Sequence, residues 1–331
     1  MALLRKINTR AKTEINTGFG SNASDYGGRF VNKNGLPNIE KRGVTLFERI
    51  SWFHSMLAIS RWKFFTLIFA FYIIVNLVFA VIYYVAGVEH LTGMNTGNEI
   101  EKFAEAFFFS AQTFTTVGYG RISPSGFGTS AIAAFEALIG LLSFALVTGL
   151  LYGRFSKPTA HIKFSGNAVI APYKEINALM IRIAPFKNIS LTDADAKLTL
   201  GMIVDENGLK KNKFFPLQLE YNTVNSLTLS WTIVHPITEE SPLFGFSAED
   251  YGTTQGEFMV FIKAFDDMFS NTVVTRSSYT FKEIIVGAKF NPMYHRNDEA
   301  NKTILDLGKI NSFIPAPLND KNLSFEKTVN S

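Results

Sequence analysis

The chain has 331 residues, room for two domains; 47% are apolar, 18% are charged and 32 are phenylalanine. The 32 basic and 28 acidic side chains leave a net charge of +4, too small and too dispersed to indicate nucleic-acid binding. The absence of cysteine excludes disulfide scaffolds, zinc knuckles, iron–sulfur sites and thiol nucleophiles. An ordinary apolar fraction with so little charge predicts a membrane part joined to a soluble part.

The segment 1–43 is polar and rich in Gly and Asn, and it begins without the apolar core of a signal peptide. We expect a mostly flexible N-terminal segment, in which Arg29–Val31 adds a short strand to another sheet. The following segment, 44–60, has its apolar side chains mostly on one side at helical spacing. This pattern predicts a helix that lies in the membrane surface, and the alternative is a cytosolic linker helix.

Two long apolar segments follow in the chain. Phe64–Ala86 has 23 residues without a charge, and as a helix it spans about 34 Å, more than a bilayer core of about 30 Å. Ser125–Gly153 contains one charge, Glu136. Both segments are therefore predicted to be transmembrane helices, and Tyr83 suits the far interface of the first one. The predicted helices cover about 62–86 and 125–154.

The distribution of basic residues predicts the orientation of these helices. Residues 1–63 carry eleven Lys or Arg against four Asp or Glu, whereas residues 87–124 carry two against four. Arg154, Lys157 and Lys163 follow the second apolar segment. Because the basic excess marks the cytoplasmic side, we expect both termini to be cytoplasmic.

From about residue 160 the pattern changes to alternating apolar and polar side chains. The candidate strands are Leu179–Ile183, Lys197–Val204, Leu227–Ile233 and Phe258–Ile262. Asp205–Gly208 has the composition of a turn. Short strands at regular intervals, without a long helical pattern, predict a β-sandwich over 156–316 and a flexible tail over 317–331.

The two spans bound a predicted pore domain at 61–155. Between them, Lys102–Phe114 is predicted to be a short helix, and Thr116–Gly120 follows it. Irregular backbone at membrane depth leaves polar groups unsatisfied unless it lines a cavity. Gly118 and Gly120 can take φ values that are closed to other residues, so successive carbonyl groups can turn to one side.

Rings of such carbonyl groups, contributed by four chains around an axis, can replace the water shell of a dehydrated K⁺. The sequence Thr116, Val117, Gly118, Tyr119 and Gly120, here called the filter segment, is associated with potassium selectivity. The Thr116 hydroxyl would add a last ring at the inner end. Because one chain cannot enclose such a pore, this mechanism requires a tetramer.

Other segments resemble one family of membrane proteins over about residues 28–312. They are Gly28–Gly35, Arg61–Lys63, Arg154–Pro158, His235–Leu243, Arg276–Tyr279 and Leu305–Lys309. With the filter segment, they make the chain similar to inward-rectifier potassium channels of the prokaryotic branch. The resemblance implies an α+β homotetramer of the bacterial inner membrane, with two transmembrane helices, a re-entrant pore helix and filter, and an immunoglobulin-like cytoplasmic β-sandwich that extends the pore.

The resemblance also implies roles for the second transmembrane helix. Phe144, Thr148 and Tyr152 are spaced at i, i+4 and i+8 and share one helical face, which would line the inner cavity. Tyr152 would close the pore by dewetting at the cytoplasmic end, whereas lipid-facing or packing aromatics are the alternative. Phe144 stands where strongly rectifying members have an acid, so we expect weak rectification. Polyamine, Mg²⁺ and Ba²⁺ are the expected blockers.

Further polar residues are assigned by the same resemblance. Asp193 matches an acidic site of the cytoplasmic pore that raises the local cation concentration, with a solvated surface acid as the alternative. Glu136 is expected to face protein, to support the filter and either to pair with Gln112 or to be protonated. Gln112 departs from the acid that many members have there. Gly140 and Gly149 are expected to be hinges or helix contacts.

Basic residues flank the spans on the predicted cytoplasmic side. Arg61, Lys63, Arg154 and Lys157 would each contribute about 1 kcal/mol of attraction to anionic lipid. The resemblance implies that these residues, with Trp62, bind phosphoinositides or other anionic lipids and that lipid modulates gating. Ordinary positive-inside anchoring is the alternative.

Other functions are less well supported by the residues. An Arg-repeat voltage sensor does not precede the pore, and a Gly-rich dinucleotide fingerprint does not follow residue 155. A membrane-anchored β-sandwich binding module is an alternative that leaves the filter segment unexplained. An enzyme is least supported, because nucleophile elbows and His/acid spacings are absent. We expect no cofactor and no metal other than K⁺ in the filter.

Overall fold

The computed structural model describes residues 8, 10–13, 18, 29–45, 51–95, 97–206, 209–297 and 301–319. The chain divides into two compact units. One unit is Arg42–Lys157, and the other joins Met1–Lys41 to Pro158–Ser331. The polar N-terminal segment therefore belongs to the same unit as the predicted β-sandwich.

Helices dominate the unit Arg42–Lys157. They are α1 (Trp52–Ala58), α2 (Arg61–Gly87), α3 (Glu99–Phe114) and α4 (Phe127–Phe155). By length and composition, α2 and α4 are long and apolar enough to cross a membrane. Two short antiparallel strands, β1 (Leu91–Thr92) and β2 (Ser123–Pro124), join the loops beyond α2 and before α4.

Local sequence explains where α3 begins. The Asn98 side chain accepts a hydrogen bond of 2.9 Å from the backbone N–H of Glu101, and Glu99 and Glu101 lie in the first turn. A capping Asn and acidic side chains both stabilise a helix N-terminus. The helix therefore starts at Glu99, three residues before the predicted Lys102, and ends at Phe114.

The segment 44–60, which is predicted to be a surface helix, is helical over part of its described residues. The structure has a helix over Trp52–Ala58, and Ile59 and Ser60 are extended. The predicted residues 46–50 lie outside the described part of the chain. Trp52 and Phe53 are exposed, as the apolar side of a helix at a membrane surface would be.

Apolar side chains from α2, α3 and α4 meet in one cluster. Its buried members are Phe79, Ala80, Tyr83, Leu91, Ala106, Phe109, Ile122 and Ala133. The rings of Tyr83 and Phe109 pack edge to face with centroids 5.0 Å apart. This cluster holds α3 between the two long helices and so positions the segment that follows it.

The other unit is built from β-strands. In chain order they are β3 (Ile162–Phe164), β4 (Ala168–Tyr173), β5 (Ile176–Pro185), β6 (Leu191–Glu206), β7 (Leu209–Leu217), β8 (Thr223–Ser226), β9 (Trp231–Pro236), β10 (Gly256–Asp266), β11 (Asn271–Thr280), β12 (Ile284–Val286), β13 (Ala288–Phe290), β14 (Tyr294–Asn297), β15 (Lys302–Leu305) and β16 (Phe313–Pro315). A short helix, α5 (Ala248–Thr253), precedes β10.

Two sheets of five strands face each other in this unit. One has the order β11-β10-β6-β7, with β8 also paired to β6, and all its pairs are antiparallel. The other has the order β12-β4-β5-β3, with β9 paired to β5, and only its β12–β4 pair is parallel. The strand pairs β13–β16 and β14–β15 stand beside them.

Alternation places the apolar side chains of both sheets in one core. Leu179, Ile181 and Ile183 of β5 and Phe258 and Val260 of β10 are all buried in the same cluster. Side chains two residues apart share one face of a strand, so each sheet turns one apolar face inward. The predicted β-sandwich is therefore the observed architecture.

Two sequence-based predictions about this unit differ from the structure. The strand predicted from Leu227 begins only at Trp231, and Leu227 is buried in the loop after β8. Arg29–Val31 does not join another sheet, because Val31 forms an isolated antiparallel bridge with Pro37 of its own segment. Of the turn predicted at Asp205–Gly208, the last two residues lie outside the described residues.

Candidate functional site

The filter segment leaves the end of α3 in an unusual backbone conformation. Thr116, Gly118 and Gly120 have φ angles of 59°, 52° and 81°, whereas Val117 and Tyr119 between them have negative φ. A β-branched residue with positive φ is a genuine outlier, so Thr116 carries backbone strain of the kind found at functional sites. Alternation of positive and negative φ lets successive carbonyl groups turn toward one side.

The beginning of the filter segment is tied to α3. The backbone N–H groups of Val117 and Gly118 both donate to the carbonyl oxygen of Gln112, at 2.9 and 3.3 Å. Beyond this point the segment lies at the surface of the chain, and the Val117 and Tyr119 side chains are 52% and 79% exposed. A strained, exposed segment that starts from a fixed helix end is suited to contact with further copies of the chain.

Gly140 lets α4 approach the end of α3 very closely. A Cβ atom at Gly140 would lie 2.0 Å from the carbonyl oxygen of Phe114, the last residue of α3. Around Gly149, by contrast, nothing among the described residues lies within 4 Å of such an atom. The expected helix-contact role therefore fits Gly140, which packs directly before the filter segment.

Glu136 has other partners than the predicted Gln112. Its carboxyl group accepts a hydrogen bond of 2.7 Å from the Tyr83 hydroxyl and also lies against the Ser110 hydroxyl. Among the described residues, the Gln112 side chain makes no hydrogen bond, and the pair Gln112–Glu136 is absent. Tyr83, which is predicted to suit the far interface, is fully buried and directs its hydroxyl to Glu136.

An ion pair holds the C-terminal end of the filter segment. Arg121, the residue after Gly120, pairs with Glu105 of α3 at 2.5 Å and donates to the carbonyl oxygen of Gly93 at 3.3 Å. Glu105 is largely shielded from solvent. Sequence analysis missed this pair, although a charge directly after the filter segment and an acid two turns before Gln112 were visible signals.

The residues predicted to line the cavity share one face of α4. Phe144 and Tyr152 are 73% and 74% exposed, and Thr148 is exposed between them. The Thr148 hydroxyl donates to the carbonyl oxygen of Phe144 at 2.8 Å, which satisfies it within the helix. This face is therefore available to other copies of the chain, to water or to lipid.

Arg154 is engaged within its own unit, unlike the other basic residues of the predicted lipid site. Its guanidinium group donates to the carbonyl oxygens of Met56 and Ile59 at 2.6 and 2.8 Å. It also lies 4.5 Å from the centroid of the buried Phe64 ring. Arg154 therefore fastens the end of α1 to the last turn of α4, a role that the prediction did not include.

The remaining residues of the predicted lipid site point away from the helices. Arg61, Trp62, Lys63 and Lys157 are all exposed, and Trp62 is 85% exposed. None of the three cations forms an ion pair with the described residues. They are free to contact a charged surface.

Asp193 lies at an irregularity in β6. The pairing of β6 with β10 shifts between Lys263 and Phe265, and Asp193 has a φ of 46° opposite that shift. An extra residue of this kind is a β-bulge, which re-aims the side chain next to it. The Asp193 side chain is exposed, which fits both the predicted pore acid and a solvated surface acid.

The motif Arg276–Tyr279 of β11 binds the N-terminal segment. The hydroxyls of Ser277 and Ser278 donate to the carbonyl oxygens of Lys33 and Val31, the first at 3.2 Å. Lys33 lies 4.0 Å from the centroid of the Tyr279 ring. Burial raises the pKa of Tyr279, whose hydroxyl donates to the carbonyl oxygen of Ser165 at 2.7 Å.

Acidic side chains complete this N-terminal contact. The buried Glu257 carboxylate accepts the backbone N–H groups of Phe30 and Val31, the latter at 3.0 Å. Arg29 pairs with Glu283 at 2.8 Å. The predicted strand Arg29–Val31 is thus held by side chains rather than by a sheet, which sequence patterns do not reveal.

His235 is a structural residue. One ring nitrogen is 2.6 Å from the carbonyl oxygen of Gln218, and the other is 2.8 Å from the Ser241 hydroxyl. Burial lowers the pKa of His235 to about 4, so the ring is neutral at physiological pH. Among the described residues, groups of three or more His, Cys, Asp or Glu side chains that could hold a metal ion are absent.

Comparisons with known proteins agree with both units. The family model of the inward rectifier potassium channel C-terminal domain matches residues 162–328, and the ion channel model matches residues 71–157. The inward rectifier potassium channel Kirbac3.1 of Paramagnetospirillum magnetotacticum is 32% identical over 286 residues, which cover 85% of this chain and 94% of that protein.

Vertebrate relatives are more distant. The ATP-sensitive inward rectifier potassium channel 12 of Gallus gallus is 25% identical over 314 residues, covering 87% of this chain and 72% of that protein. The inward rectifier potassium channel 18 of Homo sapiens is 26% identical over 317 residues, covering 87% and 71%. Together with the filter segment and the two membrane-length helices, these matches show that the chain belongs to the inward rectifier potassium channel family.

Proposed function

We propose that four copies of the chain assemble around an axis and conduct K⁺ passively through their filter segments. The observation that carries this proposal is the alternation of positive φ at Thr116, Gly118 and Gly120 directly after α3. Carbonyl groups turned to one side from four chains form rings that replace the hydration shell of K⁺. The Thr116 hydroxyl adds the innermost ring, and K⁺ is the transported ion rather than a resident cofactor.

The proposed gate of this pore is the cytoplasmic end of α4. Phe144, Thr148 and Tyr152 line the cavity, and four Tyr152 rings close it by dewetting. Their position on one exposed face of α4 supports this role, because that face is available to the pore axis of an assembly. Asp193 attracts cations to the cytoplasmic entrance. Phe144 offers no charge to polyamine or Mg²⁺, so the channel rectifies weakly, whereas Ba²⁺ blocks at the filter.

Anionic lipid, such as a phosphoinositide, modulates the gate through the exposed Arg61, Trp62, Lys63 and Lys157. Arg154 acts differently, because its guanidinium group already binds carbonyl oxygens of α1. It connects α1 to α4, the helix that carries the gate, so a movement of α1 is transmitted to α4. The basic excess on this side supports a cytoplasmic location for it and for both termini, with the two long helices in a bacterial inner membrane.

The filter role is tested by matched glycine substitutions in the reconstituted protein. Gly118→Ala forces an alanine into a φ of 52°, whereas Gly252→Ala adds the same methyl at an exposed position of α5, where nothing among the described residues lies within 4 Å. We expect barium-sensitive rubidium uptake into liposomes for the wild type and Gly252→Ala, and its loss in Gly118→Ala. Equal uptake by the two variants would contradict the assignment of the filter.

A further inference from the structure

Four fully buried polar side chains meet between the helices behind the filter. Asn76 and Tyr83 come from α2, Ser110 comes from α3 and Glu136 comes from α4. Asn76 and Tyr83 are seven residues apart, two helical turns, so they face the same side of α2. The four side chains connect all three helices.

The contacts form an unbroken chain of polar atoms. The Tyr83 hydroxyl donates to one carboxyl oxygen of Glu136 at 2.7 Å, and the Ser110 hydroxyl lies against the other. Ser110 Oγ is also 2.9 Å from Asn76 Oδ1. Asn76 Nδ2 donates to the carbonyl oxygen of Tyr72 at 2.7 Å.

Ser110 has one hydroxyl hydrogen for two neighbouring acceptors. If Glu136 were a carboxylate, Ser110 would give its hydrogen either to Glu136 or to Asn76, and the other contact would hold two acceptors face to face. Rotating the Asn76 amide does not help, because its oxygen would then face the carbonyl oxygen of Tyr72. One more hydrogen is needed, and a protonated Glu136 supplies it to Ser110 Oγ.

The surroundings of Glu136 agree with a neutral group. No cationic side chain pairs with it among the described residues, and Tyr83 is the titratable group that contacts it. Neither α3 nor α2 offers a Lys, Arg or His to the carboxyl group through a described ion pair. A buried carboxylate without a cation is strongly unfavourable.

We infer that Glu136 is a neutral carboxylic acid in the folded channel and that its proton positions α3 behind the filter. The hydrogen bonds then run in one direction, from Tyr83 to Glu136, from Glu136 to Ser110, from Ser110 to Asn76 and from Asn76 to the Tyr72 carbonyl. Each hydrogen is used once.

The position of these hydrogen bonds links the proton of Glu136 to the structure of the filter segment. Ser110 lies one turn before Phe114, the end of α3, and Glu136 lies one turn before Gly140, which touches Phe114. A bond between Glu136 and Ser110 therefore fixes the distance between α3 and α4 at the residue that leads into the filter segment. Glu136 is a positioning residue, because it acts through Ser110 and not on the ion.

Infrared spectroscopy of the reconstituted full chain tests the protonation directly. The difference spectrum between wild type and Glu136→Gln at neutral pH should show the loss of a carbonyl stretch of a protonated carboxylic acid, with a shift of that band in D₂O. Loss of carboxylate stretching bands instead would overturn the inference. This spectrum needs no ion conduction, so its failure is distinct from a failure of the proposed function.

Conservative rescue tests the positioning role. Gln offers an oxygen to Tyr83 and an N–H to Ser110, as a neutral Glu does, so Glu136→Gln should fold and retain the rubidium uptake and the barium sensitivity of the wild type. Glu136→Ala, which removes both bonds, should lose uptake, and Ser110→Ala should lose part of it. A Glu136→Gln protein that fails to fold or to take up rubidium would overturn the inference.

Discussion

The guanidinium group of Arg154, in the last turn of α4, donates a hydrogen bond of 2.6 Å to the carbonyl oxygen of Met56 in α1. The carbonyl groups at a helix C-terminus lack partners within the helix, and a cation there is favourable. Arg154 satisfies the end of α1 and at the same time covers the ring of Phe64 at the start of α2. One side chain thus joins the surface helix to both membrane-length helices.

Substitution of Arg154 distinguishes its role in fastening α1 from a role in lipid binding. A hydrogen bond donated by a charged group contributes about 1.5–3 kcal/mol, and Arg154→Gln weakens the bonds to Met56 and Ile59. We expect a lower melting temperature and less rubidium uptake. The control Lys157→Gln removes an exposed cation and should keep the melting temperature while weakening the response of uptake to anionic lipid. Equal melting temperatures for Arg154→Gln and wild type, or an unchanged lipid response in Lys157→Gln, would refute the respective roles.

A methyl group at Gly140 tests the contact between α4 and α3. Gly140→Ala places a Cβ atom 2.0 Å from the Phe114 carbonyl oxygen, so the helices must move apart. Overpacking of this kind costs about 1–3 kcal/mol of stability. The filter segment begins two residues after Phe114, so the displacement reaches it. We expect lower thermal stability and lower uptake in liposomes. Gly149→Ala adds the same methyl where the described residues leave space, and it should match the wild type in stability.

The pair of Arg121 and Glu105 should influence ion selectivity. Arg121→Gln and Glu105→Gln each release the outer end of the filter segment, and we expect the ratio of rubidium to sodium uptake to fall in both. Because the pair is partly exposed, the coupling energy in a double-mutant cycle should be about 0.5–1 kcal/mol and should shrink at high salt. Lys102→Gln is the control, since Lys102 pairs with Glu99 on the same helix at 2.7 Å. Additive effects of the first two changes would argue against the brace.

Phe144 should determine the strength of rectification. Phe144→Asp introduces four acids into the proposed cavity, and we expect steep voltage-dependent block by internal Mg²⁺ or spermine in planar bilayers. The wild type and Phe144→Asn, which adds polarity without charge, should show shallow block. Steep block of the wild type would contradict the prediction of weak rectification, and shallow block of Phe144→Asp would contradict the assignment of this residue to the cavity.

The lowered pKa of His235 predicts how acid affects the stability of the β-sandwich unit. Its pKa of about 4 in the folded chain lies below the ordinary value of 6.5, so the unfolded chain binds the proton more readily. The stabilisation by neutral His235 is fully present above pH 6.5 and is lost as pH falls toward 4, at about 1.4 kcal/mol per pH unit. Thermal melts across this range should show the decline, and His235→Gln should flatten it. An equal decline in that variant would assign the acid sensitivity to other groups.

Local features of the chain were predictable from sequence. The two membrane-length helices follow from apolar segments, and the filter segment follows from the order of Thr116–Gly120 after a short helix. Both depend on neighbouring residues, so no distant contact is needed to recognise them. The alternation in β5 and β10 likewise predicts the sandwich, because side-chain direction along a strand is a local property.

Distant partners were not predictable in the same way. Arg154 binds residues 98 and 95 positions earlier, and Glu136 binds Tyr83 at a separation of 53 residues. Charge near a membrane suggested lipid for Arg154, and tertiary contacts gave it another partner. The spacing of Asn76 and Tyr83 on one face of α2 was the available signal for the buried polar group, and it acquires meaning only when α3 and α4 are placed beside it.

The reversal potential of currents through the purified protein in planar bilayers, with KCl on one side and NaCl on the other, tests potassium conduction most directly. We expect barium-sensitive currents in the wild type that reverse only when the KCl side is held at a strongly negative potential, and no such currents in Gly118→Ala. Currents that reverse near zero, or a correctly assembled protein that carries no current in any lipid, would contradict the assignment of Thr116–Gly120 as a potassium filter.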